Sequence, residues 1–152
     1  MKYSIISWNV NGIRAINKKG FREWILNENP DIFCAQETKA QKDQLTDEII
    51  NIGNYSSYFH SAEKKGYSGV ATYTKPNPIS VNYGFGDKRF DNEGRTIVTD
   101  YDNFKLYNIY FPNGQRSDDR LDYKLKFYES FLKTIQNQDE NIIICGDVNT
   151  AH

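Results

Sequence analysis

Two short runs set the strongest limit on what this chain can fold into: "DIFCAQ" at 31–36 and "NIIICGD" at 141–147. Both are apolar at consecutive positions, not at alternate ones. A strand with one face in water alternates, so a continuous apolar run calls for a strand covered on both sides. Each run ends at residues able to do chemistry: Gln36 and Glu37 after the first, Asp147 and Asn149 after the second. Asp and Asn after a strand are common turn formers, and they are also what a crevice at the carboxyl end of a sheet uses to bind ligands.

The rest of the chain alternates between the two periods. A β-rich run at 3–9 ends in the turn "NVNG". The stretch 19–30 reads as a helix with Phe21, Trp24, Ile25 and Glu28 on one face and Pro30 as its stop. A short helix with Leu45, Ile49 and Ile50 inward is expected in "DQLTDEIIN", and a strand at 68–75. Residues 94–114 read as a hairpin turning at Asp102-Asn103. From 118 onward Leu121, Leu125, Tyr128, Leu132 and Ile135 predict a helix with that stripe buried and Asp118 or Asp119 as its N-cap. The class is α/β (or α+β), one domain with a mixed β-sheet flanked by helices.

Composition excludes more than it selects. The net charge is −1, so a polyanionic partner has to be met by local patches: Arg14 with Lys18 and Lys19, Lys64 with Lys65, Lys88 with Arg89, Arg116 with Arg120. No apolar run approaches the roughly 18 residues of a membrane helix, and no membrane partner is expected. "MKYSIISWNVNG" has neither the apolar length nor the cleavage site of a secretory signal. Cys34 and Cys145 sit inside apolar runs and read as reduced core thiols, so a cytoplasmic protein is expected.

The polar strand ends converge on one kind of chemistry. Asn9 and Asn11 follow the first strand, Glu37 the second, Tyr110 the hairpin, Asp147 and Asn149 the last. They offer carboxylates, amides and a phenol, with no Cys-His pattern, which disfavours zinc and suits a hard cation, Mg²⁺ or Mn²⁺. No phosphate loop or nucleophile elbow occurs, His60 has no evident partner, and the terminal His152 is expected to fray. Spacing by itself reaches a candidate metal-phosphoester site.

Taken together, "ISWNVNGIRA", "DIFCAQETKA", "GYSGVATYTK", "GRTIVTDY", "LYNIYFPNG" and "IIICGDVNTAH" resemble the exonuclease III / apurinic-apyrimidinic endonuclease family, part of the endonuclease/exonuclease/phosphatase superfamily. The resemblance implies a four-layer α-β-β-α sandwich and Mg²⁺-dependent hydrolysis of the phosphodiester 5′ to abasic sites in double-stranded DNA, with 3′-to-5′ exonuclease activity. It implies metal ligation around Asn9, Glu37, Asp147 and Asn149, with Asn9 supporting Asp147. Asn11, where many relatives carry Asp, is a weaker member of that shell. It makes Tyr110, Asp147 and Asn149 catalytic: Tyr110 contacts the scissile phosphate, Asp147 orients and deprotonates the attacking water, and Asn149 with Asn113 holds phosphate oxygens. Arg14, Gly66, Tyr67, Asn113 and Arg116 would contact DNA.

The family's pattern normally continues past "GDxNxAH" into a second half carrying further acidic residues and a catalytic His, to which His152 does not correspond. Residues 1–152 are therefore expected to form the N-terminal half of such a domain, with the C-terminal half absent. That expectation has one sheet with an apolar inner face awaiting a C-terminal half or a second copy, and a chain inactive or weak alone. Two other readings stay open: a non-catalytic DNA-binding or complementing half, and a phosphatase relative acting on another phosphoester.

Overall fold

The computed structural model describes residues 2–150. The elements are β1 (Ile5–Asn9), α1 (Ile13–Asn17), α2 (Phe21–Glu28), β2 (Ile32–Gln36), α3 (Asp47–Ile50), β3 (Ser56–His60), β4 (Val70–Thr74), β5 (Ser80–Tyr83), β6 (Thr96–Asp100), β7 (Lys105–Tyr110), α4 (Asp118–Gln136) and β8 (Ile142–Asp147). They build two four-stranded sheets, ordered β1-β2-β4-β3 and β5-β6-β7-β8. Each is mixed: β1 runs parallel to β2 and β7 parallel to β8, while the other pairs are antiparallel.

Side-chain alternation along the strands sorts the core into layers. From β2, Phe33 and Ala35 join Ile13, Phe21, Ile25, Ile49 and Tyr73 beneath the first three helices. Ile32 and Cys34 turn the other way and meet Tyr101 and Leu106 of the second sheet. From β7, Tyr107 and Ile109 pack on Phe127 and Phe131 of α4. The order is thus helices, sheet, sheet, helix.

This corrects the expectation of one sheet with a bare inner face. Both sheets are here, packed on each other, because β5–β8 form a sheet of their own and do not extend the first. The layer between them is partly polar. Asn108, fully buried, donates to the Ala71 carbonyl (2.8 Å) and accepts from Gln36 Nε2 (2.8 Å). Tyr101 Oη–H donates to Thr74 Oγ1 at 2.9 Å.

Three further expectations are corrected. β2 is buried throughout, but β8 is not: Ile143 and Ile144 are exposed, because β8 is an edge strand with no neighbour beyond it. Helix α4 does not bury its leucine stripe. Phe127 and Phe131 face the sheet, and Leu121, Leu125 and Leu132 face solvent. The aromatic face wins because it removes more apolar surface from water, at roughly 25 cal/mol per Å². The N-cap of α4 is Ser117, whose hydroxyl accepts from the Arg120 N–H, and neither aspartate caps it. Helix α1 and strands β3 and β5 had no expected counterpart. His60, on β3, does have a partner: its Nδ1 lies 3.0 Å from the Thr96 carbonyl and donates to it.

Candidate active site

Parallel pairing explains why the polar residues meet. In β1/β2, Asn9 lies in register with Gln36, and in β7/β8, Tyr110 with Asp147. Both parallel pairs therefore end at one rim, in two sheets packed face to face. Glu37 is the first residue past that rim on β2.

The loops beyond the rim are forced into unusual conformations. Asn11, Glu37, Lys39 and Asn149 all hold left-handed backbone, with φ of 47°, 54°, 51° and 48°. Asn tolerates this region, whereas Glu and Lys do so at a cost of order 1 kcal/mol or more each. Backbone bonds hold the Glu37–Lys39 segment in place: Gly12 N–H donates to the Glu37 carbonyl (2.7 Å), Thr38 N–H to Gly69 (3.1 Å) and Lys39 N–H to Ser68 (2.9 Å).

At the centre, Asn9 Nδ2 donates to Glu37 Oε1 at 2.8 Å and to Asp147 Oδ2 at 2.9 Å. One amide thus ties two carboxylates from opposite sheets. Its own oxygen accepts the Asn11 N–H at 3.0 Å, and two carboxylate acceptors demand that the NH₂ face them. Tyr110 Oη–H donates to the same Glu37 Oε1 at 2.9 Å. Asp147 Oδ1 accepts the Asn149 N–H at 3.0 Å, and Asn149 Nδ2 donates to the Phe111 carbonyl at 2.7 Å. Lys39 Nζ bridges Glu37 Oε2 (3.2 Å) and Asn11 Oδ1 (2.6 Å).

Proton positions follow from these contacts. Burial alone would raise the Glu37 carboxyl, but bonds from Asn9, Tyr110 and Lys39 outweigh it and hold it below the usual range. Burial, reinforced by the Glu37 carboxylate, pushes the Tyr110 phenol up to about 12, against smaller opposing effects of Arg95 and Asn149. At neutral pH Glu37 is an anion and Tyr110 a protonated donor.

Beside this centre opens a cavity of 390 Å³ lined by Glu37, Tyr67, Tyr110, Asn113, Arg116 and Asn149, among others. Arg14 and Gly66 line a neighbouring basic groove with Lys18, Lys19 and Lys39. Lys39 joins the two, since its ammonium bonds Glu37. The sequence-predicted residues thus fall into a bonded centre (Asn9, Glu37, Tyr110, Asp147, Asn149), a cavity wall (Tyr67, Asn113, Arg116) and a separate groove (Arg14, Gly66), with Asn11 between centre and groove. His152 lies outside the described residues.

Sequence reasoning missed Lys39, Glu93 and Arg95, all at the rim or in the cavity wall, and named Lys64 and Arg120, also in that wall, only as members of basic patches. One signal was available: "NEGRTIV" carries a charged residue straight into a buried strand.

The donor set fits a hard divalent cation. Glu37 and Asp147 share one hydrogen-bonding amide, and Mg²⁺ binds through one or two carboxylates plus water. Among the described residues no group of three or more His, Cys, Asp or Glu side chains is placed to hold a metal ion.

The sequence profile of the Endonuclease/Exonuclease/phosphatase family matches residues 6–152. An exodeoxyribonuclease of Bacillus subtilis (strain 168) is 40% identical over 151 residues, covering 97% of this chain and 59% of the relative. A DNA-(apurinic or apyrimidinic site) endonuclease of Dictyostelium discoideum is 40% identical over 153 residues, covering 97% and 42%. Among solved structures, an AP endonuclease from Archaeoglobus fulgidus superposes with a TM-score of 0.84 at 28% identity, over 99% of this chain and 58% of its own. The Xenopus laevis APE2 catalytic domain does so with a TM-score of 0.82 at 33% identity, over 98% and 59%. The chain spans about half the length of the curated relatives it matches.

Proposed function

Because the chain belongs to the endonuclease/exonuclease/phosphatase family, we propose that it serves a DNA-repair nuclease that hydrolyses the phosphodiester 5′ to an abasic site and trims 3′ ends. The observation that carries this reading is the single Asn9 amide joining Glu37 and Asp147 at the lip of a cation-rich cavity.

Hydrolysis of a phosphodiester needs a base for the attacking water, donors for the phosphoryl oxygens and help for the departing 3′-oxygen. Asp147 is the base: its Oδ2 is oriented by Asn9 and its Oδ1 by the Asn149 N–H. Tyr110 keeps its proton, which it donates to Glu37 in a hydrogen bond, and it lines the cavity where the phosphate would lie. Asn113, Asn149 and Arg116 line the cavity where non-bridging oxygens would lie. Glu37, with Asp147 beside it, would hold Mg²⁺ or Mn²⁺, which supplies Lewis-acid stabilisation of charge. The bond to phosphorus forms from the water oxygen and the bond to the 3′-oxygen breaks, leaving a 3′-hydroxyl. An abasic nucleotide is cheaper to expose than a paired base, which favours that lesion.

Of the four edge strands, β1 and β8 carry the site's residues at their ends. A polypeptide that continues both sheets is the partner we assign to them, and the chain alone is expected to nick weakly. The test is incision of an end-labelled duplex with one abasic analogue, by the chain with and without such a polypeptide. Nicking is expected to require Mg²⁺ and Asp147 and to rise when the edges are covered. Nicking that survives chelation or Asp147→Ala overturns the reading. So does turnover of inositol phosphates or phospholipids while abasic DNA stays intact.

A further inference from the structure

Among the described residues, Arg95 is the only Lys, Arg, Asp or Glu that is buried, at 2% exposure. A guanidinium in that position is costly unless its donors and charge are met. Glu93 meets the charge, with Nε–H donating to its Oε2 at 2.6 Å. Arg120 holds the other carboxylate oxygen of Glu93 at 2.9 Å. The remaining contacts of Arg95 reach the candidate site. Nη1 donates to the Tyr110 carbonyl at 3.0 Å and Nη2 to Tyr67 Oη at 2.8 Å. The guanidinium carbon lies 4.8 Å from the centroid of the Tyr110 ring. The Arg95 carbonyl also accepts the Tyr110 N–H at 2.8 Å. One residue therefore grips Tyr110 at its N–H, its C=O and its ring, while the far end of that ring donates to Glu37.

We propose that Arg95 is a positioning residue: anchored on Glu93, its planar fork fixes the strand end and ring plane of Tyr110 so that the phenol stays on Glu37. This rests on Tyr110 belonging to the reactive site, as argued above. A strand end can satisfy one carbonyl with a neighbouring strand or water. A buried, ion-paired fork aimed at both the carbonyl and the ring does more, and lysine cannot copy it, because a single ammonium lacks the planar geometry. Arg116, by contrast, is exposed on the cavity wall and free of that cage.

The test uses the full chain labelled with ¹³Cζ-tyrosine, the Tyr110 resonance being assigned by its loss in Tyr110→Phe. Arg95→Met is expected to shift or split that resonance. Ile25→Val, in the distant helical core, serves as a control for destabilisation and leaves it in place. Arg95→Lys is expected to recover thermal stability in part, through Glu93, without restoring the resonance. If Arg95→Met unfolds, Glu93→Gln, which frees the anchor, is expected to move the same signal less. A Tyr110 resonance unchanged in Arg95→Met or Glu93→Gln, with stability alone falling, overturns the proposal.

A second measurement separates positioning from direct phosphate contact. The slope of log K against log salt for an abasic duplex is expected to fall by about 1 in Arg116→Met and to stay put in Arg95→Met. A slope change in Arg95→Met equal to that in Arg116→Met also overturns it. If the unsubstituted chain binds no abasic duplex even with the edge-covering polypeptide present, the nuclease reading fails while the tyrosine resonances still decide the role of Arg95.

Discussion

Glu37 concentrates the site's tension in one residue. Its backbone is left-handed, its carboxylate is partly desolvated, and three donors converge on it: Asn9, Tyr110 and Lys39. The donors win over burial, so its folded-state proton affinity lies below the ordinary carboxylate value of 4.5. A depressed carboxyl stabilises the fold above its unfolded value, and that contribution is lost as pH falls through the lower, folded value. Urea unfolding of the protein and Glu37→Gln at pH 7, 5, 4 and 3 is therefore expected to show the largest gap at pH 7 and 5, closing below pH 4.5. A gap that is flat with pH, or that widens toward acid, contradicts the contacts described. Glu37, Asp147 and their asparagines were legible from sequence because residues at strand ends announce themselves. Lys39 and Arg95 were not, because their roles come from three-dimensional neighbours far along the chain: Asn11 for one, Tyr67 and Tyr110 for the other.

At the scale of elements, period decided what could be read. Strand β2 is apolar at nearly every position and is buried on both faces, as the run implies. Helix α4 carries two apolar stripes that overlap at Tyr128 and Ile135, and sequence alone does not say which one the sheet takes. The sheet takes the aromatic one, where Phe127 packs against Phe85, Phe90 and Phe111 at ring-centroid distances of 5.2, 5.3 and 5.5 Å. Truncating Phe127→Ala is expected to cost about 3–5 kcal/mol, with a cavity left behind. Leu125→Ala, on the 59%-exposed face, is expected to change stability by less than about 0.5 kcal/mol. Chemical denaturation of both variants checks this, and the reverse order would mean that the leucine stripe, not the aromatic one, meets the sheet. β3 and β5 escaped notice for a related reason. "SSYFH" and "SVNY" are short and half polar, and they are held by their neighbours β4 and β6 more than by their own pattern.

At the scale of the molecule, the four layers are complete but each sheet is narrow, and both open on the same side. β1 and β8 are the edges on that side, as β3 and β5 are on the other; β1 and β8 face each other across the sandwich and end at Asn9 and Asp147. Strand β8 has the sequence of an interior strand in the position of an edge: Ile143 is 37% and Ile144 44% exposed, and Trp8 on β1 is 37% exposed. Unpaired backbone next to exposed apolar side chains is the feature that natural edges blunt with lysine, proline or bulges, and neither strand has any lysine or proline. In pure solution the only polypeptide at hand is another copy of the chain. Sedimentation velocity across a concentration series is therefore expected to show association that grows with concentration. Ile144→Lys places a charge on the edge at an already exposed position, so it is expected to keep the chain monomeric at a stability cost under about 0.5 kcal/mol. A chain that stays monomeric without the lysine would mean that β1 and β8 guard themselves. If the lysine suppresses association, the pairing surface is mapped to the strand that delivers Asp147, and occupancy of that edge and geometry of the site become one structural event.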